Sequence, residues 1–294
     1  ADPHGLVNAG ETYVIFGTSQ TLPATVDLAT LDGSSGFRIT GIHSGDESGR
    51  SVNTVGDFNG DGIDDIAIGA WRSDVDSHID AGATYIVFGA TAGPEPIFDL
   101  ARLDGSNGLR IEGGHSADWS GCRVSRAGDI NGDGVDDLLI GAFGADPEGR
   151  NKAGESYVVF GSRQTFSASL QLSQLDGSNG FLISGINARD YSGISISTAG
   201  DFNGDGLDDL LVGASGADPG GMPHAGETYV IFGDSEGFSD RLDLSQLDGD
   251  TGLRITGIAA DDRSGSALAT VGDVKRDHVA ENVGLSFVRR DILC

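Results

Sequence analysis

GDFNGDGIDD, residues 56–65, recurs as GDINGDGVDD at 128–137 and as GDFNGDGLDD at 200–209. The leading Asp57, Asp129 and Asp201 therefore lie on a constant interval of 72 residues. The aromatic of the YVIFG-like runs keeps the same interval at Phe16, Phe88, Phe160 and Phe232, as do Asp32, Asp104, Asp176 and Asp248 of the LDG tripeptides. Self-similarity at a fixed period marks a repeat architecture. Four periods are expected, 1–72, 73–144, 145–216 and 217–288.

One period predicts four strands, at 51–56, 65–70, 83–89 and 109–114, each a short apolar or β-branched run closed by Gly or Asp. DIAIGA, DLLIGA and DLLVGA are apolar at nearly every position, as are the YVIFG runs. A half-exposed sheet would alternate, so these strands must be covered on both faces. Sheets stacked face to face supply that cover, and a propeller blade is a four-stranded sheet between two others. A β-solenoid normally has much shorter coils. The expected class is thus all-β, a β-propeller of four-stranded blades.

The hairpin between the first two strands of each period carries the chemistry. Asp57, Asn59, Asp61 and Asp65 occupy positions 1, 3, 5 and 9 of the first loop, with Ile63 at position 7. Oxygen donors on alternate residues suit Ca²⁺, which takes six to eight oxygens at about 2.3–2.6 Å. Position 7 would contribute its backbone carbonyl, and glycine at position 6 permits the sharp turn. Turn formation alone would need one Asp or Asn. Three carboxylates crowded at about 4 Å instead repel by roughly 4 kcal/mol per pair at an effective dielectric near 20. Ile68, Ile140 and Val212 stand at position 12, where an EF-hand requires Glu, so these loops are of another kind.

Composition agrees. The 294 residues carry 45 acidic and 18 basic side chains, a formal charge of −27 that excludes binding through the nucleic-acid backbone. The 48 glycines oppose a helical protein. No run approaches the ~18 apolar residues of a membrane helix, so membrane insertion is not expected. Cys122 and Cys294 are too few for a disulfide scaffold. A chain opening at Ala1 without Met or a signal peptide reads as a processed form or a fragment.

The FG pairs at 16–17, 88–89, 160–161 and 232–233, the GA pairs at 69–70, 141–142 and 213–214, and the acidic loop before each GA resemble the FG-GAP repeats of integrin α-subunit β-propellers. The resemblance covers residues 1–273. It departs at Trp71, Phe143 and Ser215, where Pro would follow Gly-Ala, and in its long period, whose surplus is expected in the stretch ending LDGSNG. It implies an extracellular, secreted or cell-surface, calcium-stabilised module for adhesion or for protein or glycan binding. Its ligand roles fall on Asp57, Asn59, Asp61, Ile63 (backbone) and Asp65, and on Asp129, Asn131, Asp133, Val135 (backbone) and Asp137. The third set is Asp201, Asn203, Asp205, Leu207 (backbone) and Asp209.

The fourth loop, from Asp273, is degenerate: Lys275 stands at position 3 and His278 replaces the glycine. Residues 274–294 match no other period and read as a truncated or out-of-frame tail. The chain opens before a third strand and breaks off after a first one at 266–271, so its termini could share a blade and close four blades. An arc of a larger propeller is the other expectation.

No catalytic constellation emerges. Gly233–Gly237 fits G-x-S-x-G, but its images are ordinary inter-strand turns. Asp46, Asp118, Asp190 and Asp262 recur in D-x-S-G and read as structural turns. A non-enzymatic binding module is therefore expected; the alternative is a non-catalytic propeller domain of a larger secreted hydrolase. Ligand binding is expected on the loops opposite the acidic hairpins, where Trp71, Trp119 and Tyr191 lie.

Overall fold

The computed structural model describes residues 1–270 except 20, 22, 23 and 93. The degenerate loop at Asp273, the tail at 274–294 and the end of the 266–271 strand lie outside the described residues. The strands begin with β1 (Glu11–Ile15) and β2 (Gly36–Thr40). The next period holds β3 (Ser51–Gly56), β4 (Asp65–Ala70), β5 (Ala83–Val87), β6 (Ile97–Asp99) and β7 (Gly108–Glu112). It is followed by β8 (Arg123–Gly128), β9 (Asp137–Ala142), β10 (Glu155–Val159), β11 (Ser169–Gln171) and β12 (Gly180–Ser184). The last comprises β13 (Ser195–Gly200), β14 (Asp209–Ala214), β15 (Glu227–Ile231), β16 (Arg241–Asp243) and β17 (Gly252–Thr256).

These strands build four sheets, β1-β2-β6, β3-β4-β5-β7-β11, β8-β9-β10-β12-β16 and β13-β14-β15-β17. Each complete period forms the four antiparallel strands that its apolar runs dictate. β9, β10, β14 and β15 are buried along their whole length, as expected for strands apolar on both faces. The cores lie between neighbouring sheets: Val55, Phe58 and Ile86 of the second sheet pack with Leu138, Ile140 and Tyr157 of the third. The inner strands run in series, β3 against β8 and β8 against β13.

The blades exceed the four strands expected. β6, β11 and β16 leave their own period and pair in parallel with the outer strand of the preceding sheet, β2, β7 and β12 respectively. A short 3-10 turn follows each, and its first residue, Leu100, Leu172 or Leu244, plugs the core at 2–3% exposure. This is where the surplus of the long period goes. Residues 25–27 and the 3-10 turn Leu28–Thr30 are the first-period image of this device, with Asp27 capping the Ala29 N–H as Asp99 caps Ala101. Here they have no preceding sheet, and Leu28 is 41% exposed. At the other end no strand among the described residues is added to the outer edge of β17, and Ile255 is half-buried where Ile39, Ile111 and Ile183 are buried. The described residues do not close the series into a ring.

Burial predicts the energetic consequence. Leu172→Ala should destabilise the fold by about 2–5 kcal/mol, whereas Leu28→Ala should cost less than about 1 kcal/mol. Urea denaturation of the two variants at constant m-value checks this.

Candidate metal centre

The three acidic hairpins join β3 to β4, β8 to β9 and β13 to β14. A register shift just before Gly56, Gly128 and Gly200 turns each first strand into its loop. At Gly56 and Gly128 a Cβ would stand 2.0–2.1 Å from a carboxylate oxygen of the next period, so only glycine fits.

The loop then wraps on its own carboxylates. Asp57 accepts the backbone N–H of Asp61 (2.8 Å) and of Gly62 (2.9 Å), Asn59 Oδ1 also accepts Asp61 N–H (2.9 Å), and Asp61 accepts Ile63 N–H (2.9 Å). The second loop repeats this with Asp129, Asn131 and Asp133 at 2.9–3.0 Å. In the third, Asp201 takes Gly204 (2.7 Å) and Gly206 (3.0 Å), while Asn203 and Asp205 take Asp205 and Leu207 at 2.9 Å.

Position 9 is different in kind. Asp65, Asp137 and Asp209 are fully buried at the start of their strands. One oxygen of Asp65 accepts Phe58 and Asn59 N–H (3.0 and 3.2 Å), and the other accepts Gly89 N–H (2.8 Å). Asp137 and Asp209 bind the Gly161 and Gly233 amides in the same way, at 2.9 and 2.8 Å. Burial pushes Asp65 up to about 7 and Asp209 to about 6, and raises Asp137 well above the usual range.

Each predicted set is thus gathered into one loop, but its oxygens turn largely to backbone amides. Among the described residues, no group of three or more His, Cys, Asp and Glu is placed to hold a metal ion. The donor chemistry nevertheless fits a hard cation. Every donor is oxygen, and carboxylate oxygens that accept one N–H keep a second lone pair. Arg163 donates to the Asp133 and Gly134 carbonyls (3.2 and 2.7 Å) and leaves the Val135 carbonyl out of this pairing.

Position 8 was not assigned a role from the sequence, yet it joins the periods. Asp136 accepts the Asp57 N–H (2.9 Å) and pairs with Arg126 (2.6 Å), and Asp208 accepts the Asp129 N–H (3.0 Å). The signal was present in the spacing of Asp64, Asp136 and Asp208 beside the glycines; the fourth image is Ala280.

On the opposite face the D-x-S-G aspartates Asp46, Asp118 and Asp190 are buried, and the serine amides at 48, 120 and 192 bond back to Ala9, Ala81 and Ala153. These segments are structural turns, as read. Trp71, Trp119, Phe143 and Tyr191 form a half-buried ladder across them, with neighbouring ring centroids 5.8, 5.1 and 6.4 Å apart. Arg72 lies over Trp71 (5.2 Å) and Lys152 over Trp119 (4.7 Å). Gly233–Gly237 is a turn closed by Gly237 N–H on the Asp234 carbonyl (3.3 Å).

The FG-GAP repeat matches residues 48–87, 125–159 and 192–231, each beginning at or near an inner strand and running through the acidic hairpin to the third strand. The chain carries three FG-GAP repeats, a type it shares with integrin α subunits, and its sheets are consistent with the blades of a propeller. It is 32% identical to integrin alpha-PS2 of Drosophila melanogaster over 62% of this chain and 12% of that protein. It is 28% identical to integrin alpha-5 of Xenopus laevis over 66% of this chain and 16% of the relative. It is 32% identical to phosphatidylinositol-glycan-specific phospholipase D of Bos taurus over 65% of this chain and 21% of that protein. The chain thus spans about a fifth or less of these relatives' lengths.

The buried carboxylates set a pH dependence. Burial raises Asp118 to about 7 and Asp190 to about 6, from 3.8. The folded state therefore binds these protons more tightly than the unfolded chain, and their contribution to stability is lost as pH rises through 6–7. Without added metal, the midpoint of thermal unfolding should rise as pH is lowered from 8 to 5, and Asp118→Asn should flatten the slope.

Proposed function

We propose that this chain is an extracellular calcium-binding β-propeller module, itself non-catalytic, that presents a loop face to a protein or glycan ligand. The observation that carries the calcium reading is the threefold oxygen-only loop. Asp57, Asn59, Asp61, the Ile63 carbonyl and Asp65 would hold one ion, and their images in the other two loops would hold the second and third. Calcium bound there would neutralise the loop carboxylates and brace each hairpin. Extracellular modules bind at roughly 10⁻⁴–10⁻³ M, so such sites would fill outside the cell. In support of this location, the named relatives include integrin α subunits, and among the described residues no helix is long and apolar enough to cross a membrane.

The finer architecture follows from the two uncovered edges. Among the described residues, Leu28 and the outer edge of β17 each lack the partner that every internal junction has, which favours an arc of a larger propeller. If the two edges instead met and closed four blades, Ile255 would pair with Val26, and Leu28→Ala would cost as much as Leu172→Ala. A second reading rests on the likeness to phosphatidylinositol-glycan-specific phospholipase D: the chain would be a non-catalytic propeller domain of a larger secreted hydrolase.

Isothermal calorimetry with calcium should give a stoichiometry near three. At a free concentration of 100 Kd each site should add about 2.7 kcal/mol to stability. Absence of heat and of a shifted midpoint would sink the calcium reading. For the ligand face, the cation-bearing Trp71–Trp119–Tyr191 ladder supports the assignment. Trp71→Ala and Trp119→Ala should each weaken partner binding at least tenfold with circular dichroism unchanged. Retained affinity in both variants would remove the ladder from the interface.

A further inference from the structure

The periods act as controls for one another, and one of them lacks a charge that the others carry. The residue opposite the strand-three tyrosine is Arg38 facing Tyr13, Arg110 facing Tyr85 and Arg254 facing Tyr229, but Leu182 facing Tyr157. Each of the three arginines pairs with a glutamate of its own sheet: Arg38 with Glu11 (3.4 Å), Arg110 with Glu112 (3.2 Å) and Arg254 with Glu227 (3.8 Å). In the third sheet Glu155 keeps its place and is 8% exposed, yet no arginine stands at 182 to meet it. Its side-chain hydrogen bond is the Tyr157 hydroxyl donating to it at 2.7 Å.

A second carboxylate faces the same space. Asp118 is 5% exposed and its Oδ2 is buried without a hydrogen-bond partner. His115 Nδ1 lies 3.4 Å from that oxygen as an ion-pair contact, on a ring 79% exposed to solvent. Two guanidinium groups, Arg241 and Arg150, lower Glu155 by their charge but hydrogen-bond and ion-pair with other residues, Arg150 with Ser184 Oγ (3.3 Å) and Glu148 (3.7 Å). Arg241, in register with Leu182, donates to Ser184 Oγ (2.9 Å) and pairs with Glu148 (3.0 Å). Asp118, Glu155, Leu172 and Leu182 line one cavity of about 580 Å³, with Arg241 also in its wall. Burial raises both carboxylates and the Glu155 charge raises Asp118 further, against the opposing charges of Arg241, His115 and Arg150 at Glu155.

Two buried carboxylates at the floor of a cavity are costly unless a cation meets them, and Leu172 and Leu182 supply a wall suited to an aliphatic stem. We propose that this cavity binds an organic cation, an ammonium or guanidinium head on an alkyl chain. The head sits at Asp118 and Glu155, where the other periods place their own arginine, and the stem runs along the two leucines. The site lies on the face opposite the acidic hairpins and needs neither calcium nor a macromolecular partner to be tested.

The test is titration of the full chain, at constant calcium, with n-butylammonium, n-butylguanidinium and the neutral n-butanol, followed by calorimetry. One or both cations should bind with a stoichiometry of one, and the alcohol at least tenfold more weakly; the stronger cation identifies the head group. Leu182→Arg restores the residue found at the three equivalent positions. It should abolish binding while retaining the native circular-dichroism spectrum and melting at or above the unmodified chain. Asp118→Asn should weaken binding about tenfold or more, the loss expected for one charge-assisted hydrogen bond. Equal affinity for the alcohol, binding that survives Leu182→Arg in a folded protein, or no binding of either cation overturns the proposal.

Discussion

One buried carboxylate per period holds the hairpin, the strand and the next turn in a single arrangement. Asp65, Asp137 and Asp209 are shut away from water at the head of the second strand, and each accepts amides from its own loop and from a turn 24 residues further on. A buried carboxylate is tolerable only when its oxygens are met by donors. The loop must therefore curl so that its amides point inward, and the Phe-Gly turn after strand three must come down onto it. This explains why the Phe-Gly pair and the acidic loop recur together at the same spacing. It also explains why the glycines beside the loop tolerate no side chain: the next period's Asp136 or Asp208 occupies that space.

From this constraint the assembly of sheets follows. The loop that position 9 shapes offers its position-1 amide outward, and the neighbouring period's position-8 carboxylate takes it. On the outer rim the added parallel strand and its core-plugging leucine perform the same joining by hydrophobic means. The junctions from the second to the third and from the third to the fourth sheet are thus fastened twice, at the inner strands by hydrogen bonds to carboxylates and at the outer strands by apolar burial, while β6 provides the outer fastening between the first and second. Where the described residues supply neither partner, as at Leu28 and β17, the edge is open.

Much of this was legible in the sequence. The strand at 65–70 was readable because a run apolar on both faces must be covered on both faces, that at 51–56 because a short β-branched run is closed by glycine, and the acidic hairpins because their spacing is rigid. The third β strands were readable from the Phe-Gly runs. The added strands β6, β11 and β16 were not, because three residues carry no periodicity and their partners lie 59 residues away. Within the loops, the candidate donors could be assigned by position, but the engagement of Asp57 and Asp65 with backbone amides could not, since an amide leaves no trace in residue identity. The clasp at Asp136 was missed because an aspartate inside an acidic loop looks like one more ligand.

Repetition also separates architecture from specificity. Features present at every period, such as the position-9 carboxylate, the D-x-S-G turn and the plugging leucine, are explained by the need to build another blade. Features that break the period cannot be explained that way, because the equivalent position elsewhere folds with a different residue. Ala83 replaces the glutamate of strand three in the second sheet, and there Arg110 turns to Glu112. Leu182 replaces the arginine in the third sheet, and there Glu155 and Asp118 stay buried without it. The first change moves a charge pair within its sheet, while the second removes a cation and leaves its acids in place. Only the second withdraws a guanidinium from a cavity that two buried acids line, so it is there, rather than in the shared framework, that the proposed recognition site of this chain lies.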